Sequence, residues 1–202
     1  MIRSELINKV KARIDEICAS GDMIVEVDVE NSKPFDSIID ELLDESALEL
    51  LLKAPFYRLH ISTANLTAAY KQDSKIGSLT LPIDFIRLVS LKMKDWQRAV
   101  TELAIQGDDI AKRQSNKFLR GGIARPVAVL RKSSEGYILD YYSIDKSHEV
   151  EEFSYIKRER AEDIDIELID ALCWICASKV LGVLEQFDSA KLCYENAKGL
   201  ML

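Results

Sequence analysis

Two hydrophobic periodicities divide this chain, and their order constrains its fold more than any single motif does. At both ends apolar residues recur every three or four positions, the period of a helix face; in the middle they recur every second position, the period of a strand. Over residues 2–19 the spacing of Ile2, Leu6, Ile7, Val10, Ile14 and Ile17 predicts an amphipathic helix with Gly21 as its stop. Lys9, Lys11, Arg13, Asp15 and Glu16 form its polar side. A second helix is expected over 36–54, through Ile38, Ile39, Leu42, Leu43, Leu48, Leu51 and Leu52 to the break at Ala54-Pro55. The chain closes with a long helix over 164–184 and a shorter one over 189–200, neither interrupted by proline. Asp163 is the expected N-cap of the long helix, whose core positions are Leu168, Leu172, Trp174 or Ile175, and Leu181.

The middle is strand-like. Residues 58–62, 66–70, 79–82, 85–93, 97–104 and 151–158 predict strands, with a turn at 75–78, and 23–29 alternates as a short strand or extended arm. Strict alternation in 85–93 puts Phe85, Arg87, Val89, Leu91 and Met93 on one face. Segments 126–131 and 136–142 flank Lys132-Ser-Ser-Glu135 as a hairpin. A short helix over 107–114 leads into a loop over 115–125 that contains Gly121-Gly122. Helices, then strands, then helices, with no βαβ alternation and no repeat, define an α+β protein. The expected architecture is a helical bundle built from 1–56 and 160–202 and a β-rich part over 57–159. That part forms an antiparallel sheet or small sandwich, and the whole makes one compact unit whose helical part is discontinuous in sequence.

Composition removes several classes of function. With 48% hydrophobic and 30% charged residues, the 202-residue chain can bury a core and is not disordered in character. A net charge of −7 opposes general binding to nucleic acid or anionic membranes, although a local basic patch is compatible with that total. No apolar run reaches the 18 or so residues of a membrane span, and the amphipathic start does not have the form of a signal peptide. Cys18, Cys173, Cys176 and Cys193 are then expected as reduced thiols.

Reactive motifs are sparse. Cys173 and Cys176 have redox spacing, but they fall in the middle of an apolar helix where no helix N-terminus lowers a thiol pKa, so they are expected in the core. A zinc site would need two more ligands, and no second close Cys or His pair supplies them. His60 is expected inside a strand in a structural role, and His148 in a solvated turn. Glu149, Glu151, Glu152, Glu159, Glu162, Asp163, Asp165 and Glu167 cluster without the order of a calcium loop, and several fall on the first turn of a helix, where acids complement the dipole. No nucleophile elbow, Walker loop or dinucleotide fingerprint is present. No catalytic, cofactor or metal site is therefore expected.

The charges are segregated instead. Lys112, Arg113, Lys117, Arg120, Arg125, Arg131 and Lys132 fall within 21 residues that hold no acid, and the acidic run follows soon after. Three readings are open at this point. The stretch could be a solvated surface, a basic loop facing nucleic acid with Phe118 and Tyr137 stacking on bases, or a contact between subunits. In the third, the basic loop of one copy meets the acidic segment of the next.

A resemblance bears on the choice. The succession Leu81-Pro-Ile-Asp-Phe-Ile-Arg-Leu-Val-Ser-Leu-Lys-Met-Lys-Asp-Trp96, Lys112-Arg-Gln-Ser-Asn116, Arg120-Gly-Gly122, Arg125-Pro-Val-Ala-Val-Leu130 and Leu139-Asp-Tyr-Tyr142 resembles the adaptor or ring proteins of tailed-phage head-to-tail connectors. Those of short-tailed phages, the crAss-like gut phages included, are nearest in texture, and the resemblance covers about residues 48–202. It implies a structural virion protein and not an enzyme. Such a protein assembles in the bacterial host cytoplasm into a ring, typically a dodecamer, that docks under the portal protein and carries the next tail or ring component. DNA passes through its lumen without being read, and neither a cofactor nor a membrane is involved. Lys112, Arg113, Lys117, Arg120 and Arg125 would then lie at a subunit or portal contact, with Glu151 and Glu152 as the complementary acids. The competing expectations are an intracellular enzyme with a dispersed site, which requires a concave pocket around His60 or Cys173, and a small DNA-associated protein.

Overall fold

The structure, a computed structural model, describes residues 1–20, 32–71, 76–134, 136–142 and 149–201. The arm expected over 23–29, the stop at Gly21, Glu135 and His148 lie outside the described residues. The fold is α+β. The chain divides into two compact units, Met1–His60 with Arg158–Leu202, and Ile61–Lys157, where the sequence pattern suggested one unit with internal boundaries at 56/57 and 159/160. The first boundary moves because 58–62 is not a strand. After Pro55 the chain makes a 3-10 turn, Phe56–Arg58, and strand pairing begins only at Ser62.

The first unit is helical: α1 (Arg3–Ser20), α2 (Ser32–Lys53), α4 (Ile169–Val183) and α5 (Phe187–Met201). Helix α4 carries no polar stripe. Ile169, every residue from 171 to 177, Val180 and Leu181 are buried, as befits a helix surrounded by others. Against it α1 contributes Leu6, Val10, Ile14 and Cys18 at four-residue spacing, and α2 contributes Ile39, Leu43, Ala47, Leu50 and Leu51. Ile2 and Leu52, expected in the core, are exposed.

Polar groups tie the helices of this unit together. Arg3 on α1 reaches Asp40 and Asp44 on α2 and Glu162 before α4, the last at 3.1 Å. Lys179 on α4 pairs with Glu45 at 3.0 Å and with Glu49 at 3.1 Å. The long C-terminal helix expected over 164–184 is broken at its start into 3-10 turns, Ala161–Asp163 and Ile166–Leu168. Asp163 is therefore not its N-cap; the neighbouring Asp165 accepts a hydrogen bond from the Glu167 N–H at 3.0 Å.

Among the described residues the second unit holds eight strands in two sheets, each with part of its surface in one buried cluster. The three-stranded sheet has the order β1 (Ser62–Thr63), β8 (Val150–Lys157), β4 (Phe85–Met93). The five-stranded sheet runs β2 (Ala68–Lys71), β3 (Ile76–Thr80), β7 (Gly136–Tyr141), β6 (Ala128–Ser133), β5 (Ala104–Ile105). All pairings are antiparallel except β5 with β6, which is parallel, so the sheet is mixed and not purely antiparallel as expected. The turn expected at 75–78 is strand from Ile76 onward, and the strand expected over 97–104 reduces to a bridge between Val100 and Leu91 followed by β5.

Strand β4 has the predicted bounds but not the predicted faces. Phe85, Leu88, Leu91 and Met93 are buried, whereas Arg87 and Val89 are half-buried. Against β8 the register slips between Phe85 and Arg87, between Leu88 and Ser90, and between Lys92 and Met93. The first two slips each insert an unmatched residue on β4 and exchange its two faces, so simple alternation fails. Leu79, Trp96, Leu139, Tyr141, Phe153 and Tyr155 complete this core, with Phe153 and Tyr155 stacked at 5.2 Å.

Candidate interaction surface

The basic stretch begins on α3 (Asp109–Ser115), whose start is held from both sides: the Asp108 carboxylate accepts from the Ile105 N–H at 3.0 Å, and its carbonyl accepts from the Lys112 N–H at 2.9 Å. After α3 the Asn116 side chain accepts from the Phe118 N–H at 3.0 Å, and its carbonyl accepts from the Leu119 and Arg120 N–H groups, each at 3.0 Å. Gln114 is the buried polar clamp. Its amide donates to the Ile110 carbonyl and its oxygen accepts from the Gly121 N–H, both at 3.0 Å. Gly121 must lack a side chain, because a β-carbon there would collide with the Arg125 carbonyl. A buried amide and a glycine thus give this loop a defined backbone while leaving its tip outside.

What the tip presents is both apolar and basic. Phe118 is 84% exposed and Leu119 62%, and the Lys117 ammonium sits 5.1 Å above the Phe118 ring. The Arg120 guanidinium lies 5.7 Å from the ring centre of Tyr142. Arg113 and Arg125 are exposed and make no ion pair among the described residues. Lys112 and Arg131 have acids beside them that the linear pattern hides: Lys112 pairs with Asp109 at 3.4 Å, and Arg131 with Asp140 at 2.5 Å across the β6–β7 hairpin. Tyr137 is 45% exposed next to Lys132 in that hairpin register.

Glu151 and Glu152 lie on β8 in the other sheet of the same unit, both exposed. Glu151 is engaged by Lys92 of β4 at 3.0 Å, while Glu152 has no ion pair among the described residues. Beside them is a feature that sequence reasoning missed. Strand β1 is two residues long and β8 eight, so β1 covers only part of that edge, and a hollow of about 250 Å³ opens between residues 63–66 and 150–153. Its apolar lining residues are Ala64, Leu66, Val150 and Phe153, and its polar ones are Thr63, Asn65, Glu151 and Glu152. Only the relative lengths of two strands create it, and no local motif encodes that.

In the helical unit His60 is exposed and lies outside any strand, contrary to expectation. It borders a hollow of about 260 Å³ that Leu51, Arg58, Glu159, Asp163, Asp165 and Leu168 help to line. Proton-transfer groups are present, but no Ser, Thr, Cys or Lys lines it. Cys173 and Cys176 are fully buried, and burial pushes their thiols up to about 11 and about 12. No group of three His, Cys, Asp or Glu side chains among the described residues is arranged to hold a metal ion, and no helix among them is long and apolar enough to cross a membrane. No protein-family model matches the chain, and no curated protein matches it in sequence.

Proposed function

We propose that this chain is a structural subunit of a tailed-phage head-to-tail connector: one copy in an adaptor ring, dodecameric by resemblance, between the portal protein and the next tail or ring component. In this reading it is not an enzyme and takes no cofactor, it assembles in the bacterial cytoplasm and remains in the virion, and DNA crosses its lumen without base-specific contacts. The observation that carries the proposal is the loop after α3. Gln114 and Gly121 hold its backbone, yet it projects Phe118 and Leu119 among Lys117, Arg120 and Arg125. An ordered loop that exposes a large aromatic among cations suits a protein contact, where aromatic and arginine residues carry much of the binding energy. A net charge of −7 weighs against the DNA-associated alternative.

Light scattering over a concentration range, with negative-stain imaging of any large species, tests the reading. A closed ring is expected, formed alone or on added portal protein, and R120E/R125E should block assembly without changing the unfolding midpoint. A chain that stays monomeric both alone and with portal protein overturns the proposal. The hollow at His60, with Glu159, Asp163 and Asp165 in its lining, favours a second reading, an enzyme that uses these groups for proton transfer. Turnover by a monomer that is lost in His60→Ala would establish that reading instead.

A further inference from the structure

The β unit carries an exposed apolar side chain set among cations and, elsewhere on its surface, a small hollow lined by both apolar and acidic side chains. We propose that Phe118 of one copy inserts into the hollow bounded by residues 63–66 and 150–153 of the next copy, with Lys117, Arg120 and Arg125 facing Glu151 and Glu152. This rests on the connector reading and names the contact that would build its ring.

The hollow is sized for a side chain. At about 250 Å³ it falls below the usual range for small-molecule sites, yet it holds several waters' worth of space and can admit an aromatic ring. Ala64, Leu66, Val150 and Phe153 line it together with Thr63 and Asn65, and its charged lining residues, Glu151 and Glu152, are both acidic. An occupant that combines an apolar side chain with neighbouring cations complements both kinds of lining residue.

Among the large apolar side chains exposed on this unit, charge and exposure together favour one. Ile83 has Asp84 beside it in sequence, and Ile110 has Asp109, so each would bring an acid against Glu151 and Glu152. Phe118 and Leu119 both lie within the acid-free stretch, and Phe118 is the more exposed, 84% against 62%, and has the Lys117 ammonium on its ring. It does not fill the hollow of its own copy, since it is 84% exposed and is not among the lining residues. Glu152, which has no ion pair among the described residues, is left to receive a cation.

Because knob and hollow are different surfaces, each copy uses both, and the contact is heterologous. Such contacts propagate, and they close into a ring when the rotation between copies closes. Two variants separate the surfaces. Phe118→Ala lacks the knob but keeps the hollow, and E151K/E152K reverses the charge of the hollow but keeps the knob. Each alone should associate on the order of 30-fold more weakly than wild type, with unchanged far-ultraviolet dichroism and unfolding midpoint. An equimolar mixture should form one-to-one pairs that grow no further, because each pair presents only defective surfaces at its ends. Wild-type assembly by Phe118→Ala would overturn the knob while leaving the connector reading in place. A wild-type chain that is monomeric at every concentration, with no pairs in the mixture, would overturn the self-contact and leave the connector reading to its own test with portal protein.

Discussion

The ring of Tyr141 on β7 lies over the α-carbon of Gly77 on β3, its register partner across the five-stranded sheet. A β-carbon at position 77 would lie 2.0 Å from Cζ of Tyr141, and Trp96 meets the same ring edge-on at 6.1 Å, which leaves the phenol little room to retreat. Glycine, ordinarily a poor strand residue, is required here by the close approach.

Gly77→Ala is accordingly expected to destabilise the protein by about 1–3 kcal/mol, the range for overpacking a dense core. Urea unfolding measures it. The Tyr141 hydroxyl is buried without a hydrogen-bond partner among the described residues, so Tyr141→Phe should leave stability unchanged or raise it by up to about 1 kcal/mol. A loss as large as that of Gly77→Ala would contradict this account.

Glu49 gives the helical unit a pH dependence. Burial alone would raise its carboxyl, but hydrogen bonds from Lys53 and Lys179 outweigh it and hold the group below its ordinary value of 4.5. A carboxylate with a depressed folded pKa contributes stability that is present above the unfolded value and is lost as pH falls through the folded one. Stability should therefore decline below about pH 4.5, and the decline should be shallower in Glu49→Gln. Unfolding midpoints between neutral pH and pH 3 decide it.

The thiols act at the opposite end of the scale. Burial pushes Cys173 and Cys193 up to about 11 and Cys176 to about 12, from an ordinary value of 9.0. A raised folded pKa means stability fully present below the unfolded value and lost as pH rises toward the folded one, so these groups weaken the protein from about pH 9 upward. At pH 8 a maleimide should label Cys173, Cys176 and Cys193 only after denaturant is added. Rapid native labelling of Cys173 or Cys176 would remove them from the core.

Glu185 ends α4 with φ of 61°. The Glu185 N–H donates to the Gly182 carbonyl at 3.1 Å and the Gln186 N–H to the Leu181 carbonyl at 2.9 Å, the paired bonds of a Schellman cap. Glycine is the usual occupant of that left-handed position, so Glu185→Gly should stabilise the protein by about 0.5–1 kcal/mol in thermal or urea unfolding. A destabilisation would mean the Glu185 side chain contributes more than the backbone strain costs.

Helices were legible where a single face is buried. Leu6, Val10 and Ile14 on α1, and Leu168, Leu172, Ile175 and Leu181 in and just before α4, lie inside as their spacing predicted, because a helix carries its pattern within itself. The β unit was legible only in part. The β6–β7 hairpin follows from local turn chemistry, including Gly136 at φ of 132°, and β4 has the predicted bounds. Its faces do not follow, because whether Leu88 or Val89 points inward depends on slips of register against β8, more than 60 residues away in the chain. Asp163 likewise does not cap the long helix, because a 3-10 turn capped by Asp165 precedes it and α4 starts only after Leu168; helix ends are decided within a few residues by where the first turn tightens.

Sequence alone determined the α+β class, the burial of the α4 cysteines and the existence of an acid-free basic stretch, all of them consequences of composition and short-range order. Tertiary structure alone decided which of those cations stay outside with Phe118 and which are paired, as Arg131 is with Asp140, and it alone opened the hollow beside β8. The physical reason is that charge partners and strand edges are set by which distant segments hydrogen-bond to one another, and that pairing is a property of the folded chain, not of any local run of residues.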